Sequence, residues 1–357
     1  MRNLLLCFVF LHVLVSEANA QVCDSVAVCE NRCCCGSEVA LPAGLLLSHV
    51  HRKGEWMFSY RFMNMNMDGI HSGFSAISKN DVYNQYLMAP KSMQSNMHML
   101  MAMYGVSNRF TLMLMGSYNT NTMEMSMFPS DGMNMPGMTV SSDDPSGTTV
   151  SSGLGDIKIH ALYNLLSSSN HQLIASAGIN IPTGTIYYSG ATGDLFYPAT
   201  RLPYSMQLGS GTFDFLPALS YSYKKENLTT GIQLSGAYRA YNNALSYRLG
   251  NEAGANVWLA YRWLKFFSSS LRIETMVNDK IQGHDAVLYN YYEPSANPIN
   301  YGGQRISAYL GSTLQIRSGV LKNNKIGAEY GLPLYQYVNG IQSPAKSMIN
   351  VYWSLSF

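Results

Sequence analysis

SMINVYWSLSF, residues 347–357, alternates without interruption. Ile349, Val351, Trp353, Leu355 and Phe357 fall on one side. Met348, Asn350, Tyr352, Ser354 and Ser356 fall on the other. An extended chain points successive side chains to opposite faces, so the segment reads as a strand with one oily and one mostly polar face. An uncovered edge carrying Val, Trp, Leu and Phe invites aggregation. Pairing with the first strand of the same chain removes that edge. The expectation is therefore an all-β, transmembrane, antiparallel up-and-down barrel of about twelve strands.

The ending on Phe357 also resembles the C-terminal signal of bacterial outer-membrane proteins. The N-terminus agrees with that address. Residues 1–20 read as a signal peptide: Arg2 is the positive start, Leu4 to Val15 the apolar core, and Ala18-Asn19-Ala20 the cleavage site. No later segment is long and apolar enough to span as a helix, for which about 20 residues are needed. Residues 21–53 are expected to form a periplasmic, cysteine-rich segment, and 54–357 the barrel. The expected location is the outer membrane of a Gram-negative-type cell, with its lipid bilayer as the first partner. A net charge of +2 and the lack of a basic stretch argue against nucleic acid.

Period-2 alternation places strands at 55–66, 95–106, 109–119, 154–165, 171–181, 213–224, 228–241, 253–264, 267–279, 304–316, 325–337 and 347–357. The connections after even-numbered strands are short. Most after odd-numbered ones are long, as at 67–94, 120–153, 182–212 and 280–303. Barrels of the outer membrane have short periplasmic turns and long outer loops. The faces opposite the apolar ones carry Arg61, Asp156, Lys158, His160, Asp214, Arg239, Arg262, Arg272, Glu274, Arg305 and Glu329. Lipid would reject these, so they are expected to face the lumen. There they either pair with one another or form a charged constriction.

Four further stretches carry a family resemblance: HRKGEWMFSYRFM at 51–63, GLGDIKIHALY at 153–163, INIPTGT at 179–185 and LGSGTFDFLPALSYSY at 208–223. The chain resembles outer-membrane transporters named for the meta-pathway of phenol degradation. That resemblance implies a barrel and passage of a solute, often supposed to be hydrophobic, and implies no catalytic residues.

The methionines depart from the broad family. Eighteen of the 22 lie between Met57 and Met138. They cluster as Met63, Met65 and Met67; Met97, Met99, Met101 and Met103; Met113 and Met115; and Met123, Met125, Met127, Met133, Met135 and Met138. Met-x-Met spacing on a strand puts the sulfurs on one face. With Phe110, Leu112, Leu114, Trp56 and Phe58 turned to lipid, these sulfurs are expected to line the lumen on three adjacent strands. The last cluster is expected in a loop, where it resembles methionine-rich motifs of copper-handling proteins. Thioethers are soft ligands that suit Cu(I), and by extension Ag(I). Methionine is also a flexible apolar filler, though a filler gives no reason to alternate with Asn64, Asn66, Glu124 and Asn134. His98 and His71 are candidate additional ligands. His49 and His51 are expected in a solvated approach to the first strand.

Cys33, Cys34 and Cys35, with Cys23 and Cys29, precede the barrel. Disulfides and a soft-metal site both remain open, and the segment is a candidate contact for a periplasmic partner. The functional expectation is a channel or transporter that binds or passes Cu(I) or Ag(I), with no cofactor required. The alternative is a passive pore for small hydrophobic or aromatic solutes. A blocked structural barrel and a barrel lipase are the remaining classes. The lipase needs Ser beside His on the outer face, and no expected strand supplies that pair.

Overall fold

The computed structural model describes residues 41–127, 146–190, 200–288 and 292–357. Twelve antiparallel strands form one closed barrel. They are β1 (Trp56–Asp68), β2 (Met88–Gly105), β3 (Phe110–Met127), β4 (Ile157–Ser167), β5 (His171–Ile181), β6 (Asp214–Lys225), β7 (Leu228–Ala237), β8 (Glu252–Leu264), β9 (Phe267–Asn278), β10 (Gly303–Gln315), β11 (Asn324–Gln342) and β12 (Ala345–Ser356). Each pairs with its neighbours in sequence. The seam joins β12 to β1, from Met57 opposite Ser356 to Met67 opposite Ala345. The signal segment, Cys33, Cys34, Cys35, Met133, Met135 and Met138 lie outside the described residues.

The final strand has the orientation that its alternation demands. Ile349, Val351, Trp353 and Phe357 are exposed on the outer wall, while Met348, Asn350 and Ser354 are buried inside. The outer wall carries Trp56, Phe58, Leu100, Leu112, Leu114, Ile179, Phe215, Val257, Leu271 and Leu310, all exposed to what would be hydrocarbon. Trp56 stacks on Phe58 and packs on Tyr104, and Phe58 stacks on Phe357, at the periplasmic rim.

Three strands are longer than expected. β2 begins at Met88, β3 runs to Met127 and β11 to Gln342. Their distal halves rise past the lipid, so the apolar half of the alternation stops although the strand does not. There the outer face is an amide ladder. Asn64 donates to Asn96 (2.7 Å), Asn66 to Asn64 (2.9 Å) and Gln94 to Asn66 (3.0 Å). This corrects the placement of Met123, Met125 and Met127, which sit on β3 rather than in a loop. A further short strand, Ser146–Leu154, pairs with this part of β3. β7 is shorter than expected and ends at Ala237.

Residues 41–53 are not a separate periplasmic segment; they enter the barrel. Arg61 donates to the carbonyl of Ala43, and Gln233 donates to that of Leu46. His51 N donates to Thr111 Oγ1 (2.8 Å). Ala43, Leu45 and Val50 are buried against inward-facing side chains. Leu47 has a φ of 58°, which an L-residue adopts only at a steric cost. The chain then hooks at the rim, where Gly54 N donates to Gly105 O (2.7 Å), and starts β1.

The outer loops fold inward and are tied down at one node. Asp156 accepts from Asn180 Nδ2 (2.8 Å), Gly184 N (2.9 Å), Ser210 N (2.9 Å) and Ser210 Oγ (2.7 Å). Thr183 Oγ1 donates to Gly155 O (3.0 Å). Gly184 and Gly209 approach so closely that a Cβ on either would strike the other's backbone. Three of the four stretches behind the family resemblance meet in this node. Above it, Tyr204 packs edge-on against Tyr247 and Tyr301. Arg201 pairs with Asp285, and Glu293 is buried beside them in the loop after β9.

Two outcomes follow from this arrangement. Leu100→Arg, at mid-height on the lipid face, should cost about 2–4 kcal/mol, and Val106→Arg at the rim about 0–1 kcal/mol. Denaturant titration of protein refolded in vesicles measures both, and equal costs would mean that the belt is misplaced. Burial raises the Glu293 carboxyl to about 7. Opening the loops returns it to about 4.3. Loop closure is then strongest at acid pH, weakens as pH rises through 7, and levels off above. Amides of residues 292–302 should be better protected from hydrogen exchange at pH 5 than at pH 8, after correction for intrinsic rates. Glu293→Gln should flatten that difference.

Candidate functional site: the barrel lumen

The lumen has two unlike walls. The wall formed by β1, β2 and β3 is thioether. Met57, Met99, Met101, Met103, Met113 and Met115 are buried there and pack on Val50, Leu46 and Leu47 of the inserted segment. Met63 and Met97 sit beside them. Higher up, Met88, Met123 and Met125 pack on Leu202 and Met206 of the folded-in loops, with Met93 and Met127 alongside. Met65 and Met67 line a cavity between these levels. The register brings sulfurs side by side in rows. Met57, Met103 and Met113 form one row, and Met67, Met93 and Met123 another.

The Asn-Met-Asn-Met alternation thus has a plain cause. The barrel wall divides polar from apolar at that height, with a hydrogen-bonded amide ladder outward and methionines inward against packed loops. A filler follows that pattern, contrary to the expectation from sequence.

The other wall is charged, chiefly on β8 to β11. Arg272 reaches Glu329 (3.0 Å), Glu274 (3.0 Å) and Asn256 Oδ1 (2.6 Å), and lies 3.8 Å from the centre of the Tyr309 ring. Tyr309 donates to Glu274 (2.8 Å), and its hydroxyl oxygen lies 3.1 Å from the sulfur of Met348. Arg305 is 3.7 Å from Glu274. On the loop side, Asp214 and Glu252 hold Arg239 at 3.3 and 2.9 Å. Lys158 lies opposite Met115 on the neighbouring strand, and Arg262 lines the periplasmic cavity. The named charges face inward, and most are committed to ion pairs rather than left as a filter. Asp156 serves the loop node instead.

The histidines do not join the methionines. His98 is on the outer face, where its Nδ1 lies 2.7 Å from Tyr60 Oη and its ring packs on Phe62. This corrects its place among the candidate metal ligands: a residue between Met97 and Met99 must point the other way. His71 lies on a small outer hairpin against the end of β11. His49 and His51 are inside the barrel, edge to face at 5.1 Å, with His51 Nδ1 3.3 Å from Glu55. They are not in a solvated approach. His160 faces inward, 3.3 Å from Ser176 Oγ. Among the described residues, no group of three or more His, Cys, Asp or Glu could hold a metal.

Among the described residues, two cavities stand out. One of 70 Å³ lies under the inserted segment, among Leu45, His49, Met57, Met113, Lys325 and Tyr352. The other, of 260 Å³, is a vestibule on the outer side, bounded by Met65, Met67, Met276, Arg305, Tyr337 and Pro344. Sequence reasoning missed the residues that divide them. Tyr309, Asn256 and Leu46 carry no motif, and only the register and the insertion bring them together.

A family model described as the putative MetA-pathway of phenol degradation matches residues 127–293. No curated protein matches the chain by sequence. Among solved structures, the chain is similar to an outer membrane channel from Pseudomonas putida F1. Identity is 14%, with 90% of this chain and 98% of that chain covered, at a TM-score of 0.55. The KdgM porin (11% identity, 84% and 99% covered, TM-score 0.39) and the NanC porin (10%, 84% and 98%, 0.41) are more distant and carry no argument. With its greasy exterior, closed seam and inward charges, the chain has the fold of an outer-membrane β-barrel.

Proposed function

We propose that the protein is an outer-membrane channel for small amphipathic organic solutes. The observation that supports this is the two-faced lumen, with a continuous thioether wall on β1–β3 and a hydrogen-bonding, charged wall on β8–β11 across from it. An apolar body can slide on methionines, whose unbranched side chains adapt their shape. A polar head can track the arginines and carboxylates. A purely aqueous pore gains nothing from an oily wall, and a structural barrel has no use for a 260 Å³ vestibule. The similarity to an outer membrane channel from Pseudomonas putida F1 is compatible with this reading. The inserted residues 41–50 are the obstruction. Removing them should raise the single-channel conductance of the refolded protein several-fold and speed swelling of solute-loaded liposomes. Unchanged conductance would show that the path does not run through this lumen.

A second reading has its own support. The rows Met57–Met103–Met113 and Met67–Met93–Met123 place three thioethers on neighbouring strands at one height. Strands are about 4.8 Å apart, so flexible thioethers could converge on one Cu(I) or Ag(I) ion. Methionine binds without losing a proton, so such affinity would fall little at acid pH. Competition against a chromogenic Cu(I) chelator tests it. Replacement of Met67, Met93 and Met123 by Leu should abolish Cu(I) binding if that row is the site. Undiminished binding would move the site elsewhere, and no binding by the wild-type protein would remove this reading.

A further inference from the structure

Asn278, Gln304, Gln336, Tyr337, Gln342 and Ser343 border the vestibule beside Arg305, and the amides of Gln336 and Gln342 are engaged. Gln336 exchanges both hydrogen bonds of its amide with Ala345, at 2.7 and 2.9 Å. Gln342 donates to the carbonyls of Gly302 (2.8 Å) and Asn339 (2.6 Å). Arg305 is different. Among the described residues, its Nη1 meets only the sulfur of Met65, at 3.7 Å, its Nη2 stands 3.7 Å from Glu274, and its Nε has no partner. A thioether is a weak acceptor, and a guanidinium has five N–H donors.

Glu274 does not neutralise Arg305. The same carboxylate already accepts from Arg272 at 3.0 Å and from Tyr309 at 2.8 Å. Glu329 is taken by Arg272, with Asn350 also donating to it at 3.4 Å. Three guanidiniums, those of Arg61, Arg272 and Arg305, therefore share the waist with two carboxylates. Of the three, Arg61 borders the smaller cavity and Arg305 borders the vestibule. Around that space stand Met65, Met67, Met276 and Pro344, which offer no hydrogen-bond donor of their own side chains. Its 260 Å³ far exceeds the roughly 10–15 Å³ that one water needs.

We infer that the vestibule is a binding site for an organic anion with a short apolar body, and that Arg305 is the residue that recognises its carboxylate. A carboxylate fits the planar guanidinium fork in a two-point contact that a neutral hydroxyl cannot match. The alkyl part lies against the three methionines. This names the solute class within the amphipathic-conduit reading, on which it rests.

The test uses full-length refolded protein and three probes: hexanoate, 1-hexanol and acetate. Equilibrium binding by calorimetry should rank hexanoate at least tenfold above both hexanol and acetate. Arg305→Gln should erase the advantage over hexanol while hexanol binding stays unchanged. Arg305→Lys keeps the charge but not the fork, and should restore part of it. Heat-modifiable migration of each variant on gels reports that the barrel is closed. Equal affinities in the wild type, no binding of any probe, or an undiminished preference in folded Arg305→Gln would each overturn the inference. Liposome flux separates it from the conduit reading. Hexanoate that binds through Arg305 but does not cross leaves the site and removes the conduit. Hexanoate and hexanol that cross equally, with equal binding, do the reverse.

Discussion

A peptide group facing hydrocarbon without a partner costs several kcal/mol. The seam between β12 and β1 is the answer to that cost in this chain. Every other neighbouring pair of strands is consecutive in sequence, but this one joins the two ends of the barrel. Once it forms, the outer wall has only side chains to offer to lipid, and the inward positions can hold Arg272, Glu274 and Glu329 at close quarters. The alternation of residues 347–357 is therefore tied to the charge distribution of other strands. Each charge is tolerable only if the cylinder is shut.

The interior is filled rather than hollow. Thioethers hold the two fillers, the inserted segment near the periplasmic rim and the folded loops near the outer mouth. The inserted segment is also held by hydrogen bonds, from Gln233 of β7 to Leu46 and from Arg61 of β1 to Ala43. A contact with methionine is almost free of direction, whereas a hydrogen bond is not. The thioether contacts can thus let the packed segment slide while the hydrogen bonds set where it stops. The loop node at Asp156 is of the second kind, and it explains why glycines at 184 and 209 are needed where two backbones touch.

Much of this was legible in the sequence. The strands, the sidedness of Arg61 and Arg305, and the inward methionines of β1 to β3 all follow from period two. The upper halves of β2 and β3 were not legible, because period two reports lipid on one side. Above the membrane both sides of the sheet are tolerant, and Gln94 or Thr120 looks like loop. His98 shows the opposite case, since its parity alone excludes it from the methionine face. The insertion of residues 41–53 was hidden for another reason. LPAGLLLSHVH has no period, and nothing local says that Ala43 will meet Arg61 rather than water. Nor does any spacing disclose that Asp156, Asn180, Gly184 and Ser210 share one hydrogen-bonded node.

The seam also bears on how the molecule comes to be folded. Met57 and Ser356 are partners separated by almost the whole chain. Pairings this remote close slowly, because the loop entropy is lost before the contact is gained. Until the last strand arrives, β1 has an open edge and the belt has no lipid around it. Such a chain is aggregation-prone during that interval. Its journey between synthesis and insertion must then be made in the company of something that keeps those surfaces apart.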